Sequence, residues 1–225
     1  MGADEIDRAE PVHQATGRPR GGRPRADQAG EVDRRILDAA SELFRQLGYQ
    51  RTTFEQVAES ARASKSTLYA RYPTKEDLFT AVVRRDTDIF AGQTVEGAPE
   101  GPVLERLIIA GDQLAETTLT PENIGLMRIT AAEATTFPDL ANDGFRIGFG
   151  ECVRRIEVVV AHGPDAVPDP GAVARRFVEM ALHPLYMHAF FGADLAELRL
   201  RARHDVARVA KILLAEVPPS GSGPR

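Results

Sequence analysis

Two short amphipathic segments, Thr53–Ser60 and Ser64–Tyr72, are separated only by Ala61-Arg62-Ala63, and Pro73 follows at once. A turn that short leaves no room for a strand or a crossover, so the two segments must pack as a steeply crossed helix pair. The local chemistry agrees. Thr53-Phe-Glu-Gln56 is a capping-box pattern, in which the Thr53 hydroxyl accepts from a first-turn N–H and Gln56 reaches back. Ser64 caps the second segment, and Pro73 ends it by removing a donor and restricting Tyr72. Thr74-Lys-Glu-Asp77 is a further N-cap, with acids in the first turn where the helix dipole favours them. Upstream, Ile36, Ala40, Leu43, Phe44 and Leu47 follow the amphipathic helix template from Glu31, and Gly48 ends it. The spacing therefore predicts three helices within Glu31–Tyr72, the last two a helix-turn-helix. A longer fourth helix carries Leu78, Val82, Val83 and Ile89 to about Ala91.

Beyond the Gly/Pro loop at 92–102 the remaining segments also read helical. Leu104, Leu107, Ile108 and Leu114 mark one helix, and Thr120 with Pro121 at the first helical position starts another. "TTFPDL" (135–140) is a break, followed by a helix to about Ala161 and two more at about 171–191 and 194–216. Pro184 is expected to kink or break the first of that pair, because its ring collides with the carbonyl of Met180. No convincing alternating strand is present. The expectation is an all-α chain of about nine helices: a basic disordered arm over 1–30, a helix-turn-helix domain over 31–85, a larger helical domain over 86–217 and a frayed tail over 218–225.

Composition excludes several classes. No run approaches the ~18 apolar residues that a membrane span requires. The first twenty residues contain no apolar core of a secretory signal, and a single cysteine permits no internal disulfide, so a cytoplasmic setting is expected. The five histidines form no HExxH or comparable ligand pair, Cys152 has no CxxC partner, and no GxGxxG or GxxxxGK[ST] phosphate loop appears. Neither catalysis nor a metal nor a cofactor is expected. The net charge of −5 hides an asymmetry: from Gly17 to Asp88 basic residues outnumber acidic ones. Within Ser64–Phe79, Lys65, Arg71 and Lys75 have no acid among them before Glu76. That pattern suits a surface facing phosphates, where lysine and arginine release counterions and hydroxyls fix register. With Leu68 facing inward, Lys65, Ser66, Thr67 and Tyr69 surround the exposed N-terminal face of a recognition helix, the part that reaches base edges in the major groove.

The stretch "RILDAASELFRQLGYQRTTFEQVAESARASKSTLYARYPTKEDLFTAVV" resembles the N-terminal domain of TetR-family transcriptional regulators. Ser64-Lys65-x-Thr67-Leu68-Tyr69 followed by Lys75-Glu76-x-Leu78 is the most specific element of the likeness. It departs from the family where Arg62 and Ser66 stand at positions usually held by glycine, and where Pro73 directly follows Tyr72. The resemblance implies DNA contacts by Thr53, Ser64, Lys65, Ser66, Tyr69, Tyr72 and Lys75, with Thr53 and Lys75 on phosphates and Lys65 and Tyr69 in the groove. Position alone adds Thr67 as a base or methyl contact and Arg71 as a phosphate contact; packing within the small domain is the alternative for Tyr69 and Tyr72. "LMRITAAEATTFPDLANDGF" (126–145) is similar to the C-terminal domain of the AefR-like subgroup.

The partners expected are double-stranded DNA, a second copy of the chain and an unidentified small-molecule effector. The doubled Gly-Arg-Pro-Arg of the arm resembles an AT-hook core, and Arg18, Arg20, Arg23 and Arg25 are candidate minor-groove contacts. An architectural A·T-rich binder acting through that arm is the alternative to a sequence-specific repressor. Met127, Phe137, Phe145, Phe149 and Met187 are candidates to line an apolar effector pocket, with Arg128, Glu133 or His183 orienting the ligand; simple core packing is the alternative for the apolar ones. The resemblance places the homodimer seam on the last two helices, where Phe177, Met180, Leu185, Phe190, Val206, Val209 and Leu213 permit a four-helix packing with the partner.

Overall fold

The computed structural model describes residues 26–92 and 99–216, so Arg18, Arg20, Arg23 and Arg25 and the tail from residue 217 lie outside the described residues. Among the described residues every regular element is helical: α1 (Ala26–Leu47), α2 (Phe54–Ser60), α3 (Lys65–Arg71), α4 (Lys75–Gly92), α5 (Val103–Thr118), α6 (Pro121–Ala132), α7 (Pro138–Ala161), α8 (Pro170–Phe177), α9 (His183–Phe190) and α10 (Leu195–Glu216). A π turn over Val178–Leu182 joins α8 to α9 without a gap, so the three pieces form one rod. The all-α expectation of about nine helices holds. α1 begins at Ala26 rather than at Glu31, because Ala, Gln and Asp precede a single weak glycine, whose cost of about 1 kcal/mol a long helix absorbs.

The helix starts form as their sequences dictate. The Thr53 hydroxyl accepts from the Gln56 N–H while the Gln56 amide oxygen accepts from the Thr53 N–H, at 3.3 and 2.9 Å. Ser64 Oγ accepts from the Thr67 N–H at 3.0 Å, and Thr74 Oγ1 from the Asp77 N–H at 3.1 Å. α2 ends in a Schellman motif. The Ala63 N–H reaches the Ala58 carbonyl and the Arg62 N–H the Glu59 carbonyl, which requires a left-handed residue between them. Arg62 supplies it at φ +50°, the conformation that its usual glycine would adopt without strain.

Ile36, Phe44, Val57, Leu68, Leu78, Phe79 and Val82 are fully or almost fully buried and hold α1 to α4 around one small core. Each large apolar side chain buried there contributes about 1.5–3 kcal/mol. That core does not stop at the expected 85/86 boundary. Leu126 and Ile129 of α6 are buried in it, with Phe137 and Leu140 against it, and α4 continues as one helix to Gly92. A polar seam reinforces the α1–α4 contact: Ser41 donates to Asp86 at 2.5 Å, and Arg85 bridges Asp38 and Asp86 at 2.9 and 2.7 Å.

The second core gathers α5, α7, α8, α9 and α10. At its centre Gly111 of α5 permits close approach, since a Cβ there would lie 2.6 Å from Phe177 Cζ and 2.8 Å from Val206 Cγ1. Pro184 does not break its rod. The N–H of His183 bonds the carbonyl of Val178, five residues back, and this wider turn accommodates the missing donor and the proline ring.

Candidate nucleic-acid interface and internal cavity

α3 rests on the small core through Leu68, fully buried, and presents Ser64, Lys65, Ser66 and Tyr69 outward. The Tyr69 ring lies 4.7 Å from that of Phe54, yet half of the residue is exposed, so the helix pair fixes its direction while leaving its edge free. Thr53 is also exposed at the start of α2. Thr67 is half-buried, with its hydroxyl 2.7 Å from Ser64 Oγ.

The structure divides the basic residues of this surface. Lys65 is exposed and pairs with Glu55 across the turn at 2.9 Å. Lys75 is turned inward, donating to the carbonyls of Gln50 and Thr52 at 3.1 and 3.2 Å and lying 4.6 Å over the Tyr49 ring. In the free protein its ammonium braces the start of α4 against the α1–α2 loop. Tyr72 is half-buried and donates to Asp33 at 2.8 Å, and the Arg71 guanidinium meets the same carboxylate at 3.2 Å. Both clamp the end of α3 to α1. In the free protein Tyr72 and Arg71 are both struts between α3 and α1. Glu55, which the sequence reading missed, sets the only carboxylate within salt-bridge distance of Lys65 among the described residues.

A cavity of about 440 Å³ lies between α4, α6, α7 and α9. Met127, Phe145, Phe149, His183 and Met187 line it as expected. Three other candidates do not. Arg128 donates to the carbonyls of Ala189 and Phe190 and caps α9. Glu133 ends α6 beside Tyr49. Phe137 packs on Tyr49 and Phe79 at 5.4 and 5.3 Å, in the core of the helix-turn-helix domain. The wall includes groups not anticipated: Val83 and Thr87 of α4, Thr118, Asn123, Cys152 and Tyr186. A face of small residues on α7, Ala141, Gly144 and Gly148, was the signal available in the sequence. Tyr186 donates to Thr118 Oγ1 at 2.8 Å, and Asn123 donates to the Thr118 carbonyl at 2.8 Å. Burial pushes the Cys152 thiol up to about 11, so it packs as a thiol and is a poor nucleophile. Burial also lowers the imidazole of His183 below its ordinary value, which favours the neutral ring.

Five candidates for the dimer seam, Phe177, Leu185, Val206, Val209 and Leu213, are almost fully buried within their own protomer. They cannot face a partner, because the apolar stripe of each helix is used on its own core. Phe190 is half-buried at the cavity, and Met180 alone of the set is exposed, at 41%.

A short capped helix held outward on a small helical head, continuous with a body that holds an apolar cavity open to one side, is the arrangement of a helix-turn-helix transcriptional regulator. Residues 36–82 match the model of the tetR family of bacterial regulatory proteins, and residues 105–216 that of the AefR-like transcriptional repressor C-terminal domain. The chain belongs to the TetR family of DNA-binding regulators. It is 34% identical over 92 residues to the A-factor receptor protein of Streptomyces griseus, a match covering 40% of this chain and 32% of that one. A TetR-family regulator from Mesorhizobium loti superposes with a TM-score of 0.69 at 26% identity, covering 82% of this chain and 98% of the other. The flavonoid-responsive regulator FrrA superposes at 0.65 and 25% identity, covering 85% and 99%. No helix among the described residues is long and apolar enough to cross a membrane.

Proposed function

We propose that the protein is a ligand-responsive repressor that binds a near-palindromic operator as a homodimer. The observation that carries this reading is the shared wall: Val83 and Thr87 of α4, the helix leading out of the DNA-binding head, line the same cavity as α6, α7 and α9. An occupant that favours one placement of α4 biases the placement of α3 through a common core. One α3 reads one half-site, so a two-fold pair must hold its recognition helices about 34–36 Å apart to fit successive major grooves. A small change in α4 shifts that spacing and releases DNA. The flavonoid response named for FrrA supports a small-molecule effector here.

The seam of the pair is drawn from apolar groups left exposed on the last helices and the turn between them, Met180, Phe191 and Leu200. A DNA-selection assay on the purified full chain, against randomised duplexes at one stated salt, tests the reading. A near-palindromic site, with affinity lowered by roughly tenfold or more on Tyr69→Ala, is the expected result. Recovery of A·T-rich duplexes without symmetry, indifferent to Tyr69→Ala, would replace it with an architectural binder acting through the arm.

A further inference from the structure

We propose that the occupant of the cavity is an uncharged aromatic compound, seated among its ring-lined walls against the glycine face of α7. The inference rests on the effector-site reading above and adds the chemical class. No lining side chain carries a carboxylate, ammonium or guanidinium. An ion drawn into that space would lose its hydration with no countercharge to replace it, which a neutral compound avoids. Five carbocyclic rings, those of Phe90, Phe145, Phe149, Tyr186 and Phe190, surround the space and offer the offset and edge contacts that aromatic groups favour.

The polar groups are few and mostly committed. Tyr186 and Asn123 are bonded to Thr118, as described. The His183 ring lies 5.0 Å from that of Phe149, and among the described residues no group hydrogen-bonds its imidazole. One hydroxyl or carbonyl on the ligand completes it.

The room itself comes from omitted side chains. A Cβ at Gly148 would meet nothing within 4 Å, and one at Gly144 would meet only Thr130 Cγ2 and Val83 Cγ1 at 3.9 Å. Neither glycine has a left-handed backbone, so what each contributes is space. Charge appears in an adjoining pocket, which shares Phe145, Phe149 and His183 with the cavity and adds Arg146, Arg175 and Glu179. Arg146 is paired with Asp143 there at 3.1 Å, and Arg175 lies 5.3 Å over the Phe149 ring.

Two fluorescent dyes that share a skeleton test the class: neutral N-phenylnaphthylamine and its sulfonated relative anilinonaphthalenesulfonate. Titrated into the full chain, the neutral dye is expected to bind at least about tenfold more tightly, because only the sulfonate must be desolvated without a partner. Gly148→Leu, which fills the cavity, is expected to abolish that binding while leaving circular dichroism unchanged. Gly144→Leu serves as a second filling variant should the first fail to fold. Tighter binding of the sulfonate, lost in both Gly148→Leu and Arg175→Ala, would keep the cavity as a ligand site but overturn the neutral class. Binding of both dyes indifferent to cavity filling, or no binding of either, would overturn the ligand site as well.

Discussion

In the free protein Lys65 meets the Glu55 carboxylate, and on the proposed reading that carboxylate competes with a DNA phosphate for the same ammonium. The pair is exposed on both sides, so it is weak and readily exchanged. On that reading its effect is on selectivity, because a carboxylate at Glu55 penalises any docking that does not draw Lys65 away. Glu55→Gln is expected to tighten binding to non-specific duplex several-fold and to steepen the fall of log K with log salt by about one, as one more cation becomes free to meet a phosphate. Fluorescence anisotropy across a salt series measures this, and an unchanged slope would mean that Lys65 already reaches DNA unhindered. Lys75 shows the opposite case, a lysine whose partners are carbonyls and a ring within its own domain. Nothing in the residue type distinguishes the two. The Lys65–Glu55 pair and the Lys75 contacts are made across turns, where sequence spacing carries no direction.

Helices of this protein use glycine in two ways that one experiment separates. Gly111→Ala is expected to destabilise by about 1–3 kcal/mol, because the added methyl meets Phe177 and Val206 inside a packed core. Gly148→Ala is expected to stabilise by up to about 1 kcal/mol, since helix propensity improves and the methyl enters open space. Urea midpoints of the two variants against the parent settle both signs. The starts of α2, α3 and α4 were legible from Thr53, Ser64 and Thr74 because a cap is decided by neighbours three residues away. The π turn was not, since Pro184 states only that a donor is missing and leaves open whether the helix breaks or widens. The cavity was half-legible. Phe145, Phe149 and His183 were found by type, but Arg128 and Phe137 were assigned by proximity in sequence, and folding turned the first onto the last carbonyls of α9 and gave the second to the core of the head. The seam failed for a related reason: apolar periodicity marks a buried stripe without saying whose core buries it.

At the scale of the whole molecule, the head and body share packing, with Leu126 and Ile129 of α6 inside the core of the head. A homodimer built on the exposed side of the last helices should be broken by one charge placed there. Met180→Glu is expected to convert the dimer to monomer in sedimentation at micromolar concentration while helical content is retained, because an unpaired carboxylate in a seam costs several kcal/mol. A dimer that persists would move the seam away from Met180. The wall that α4 contributes to the cavity also has a thermodynamic reading. Whatever factor an occupant takes from the affinity for operator, the operator must take from the affinity for the occupant, each tenfold corresponding to about 1.4 kcal/mol of coupling. On the proposed reading, operator-bound protein is a weaker receptor than free protein. A cell's response threshold would then depend on how many operators it carries as well as on how much ligand it holds.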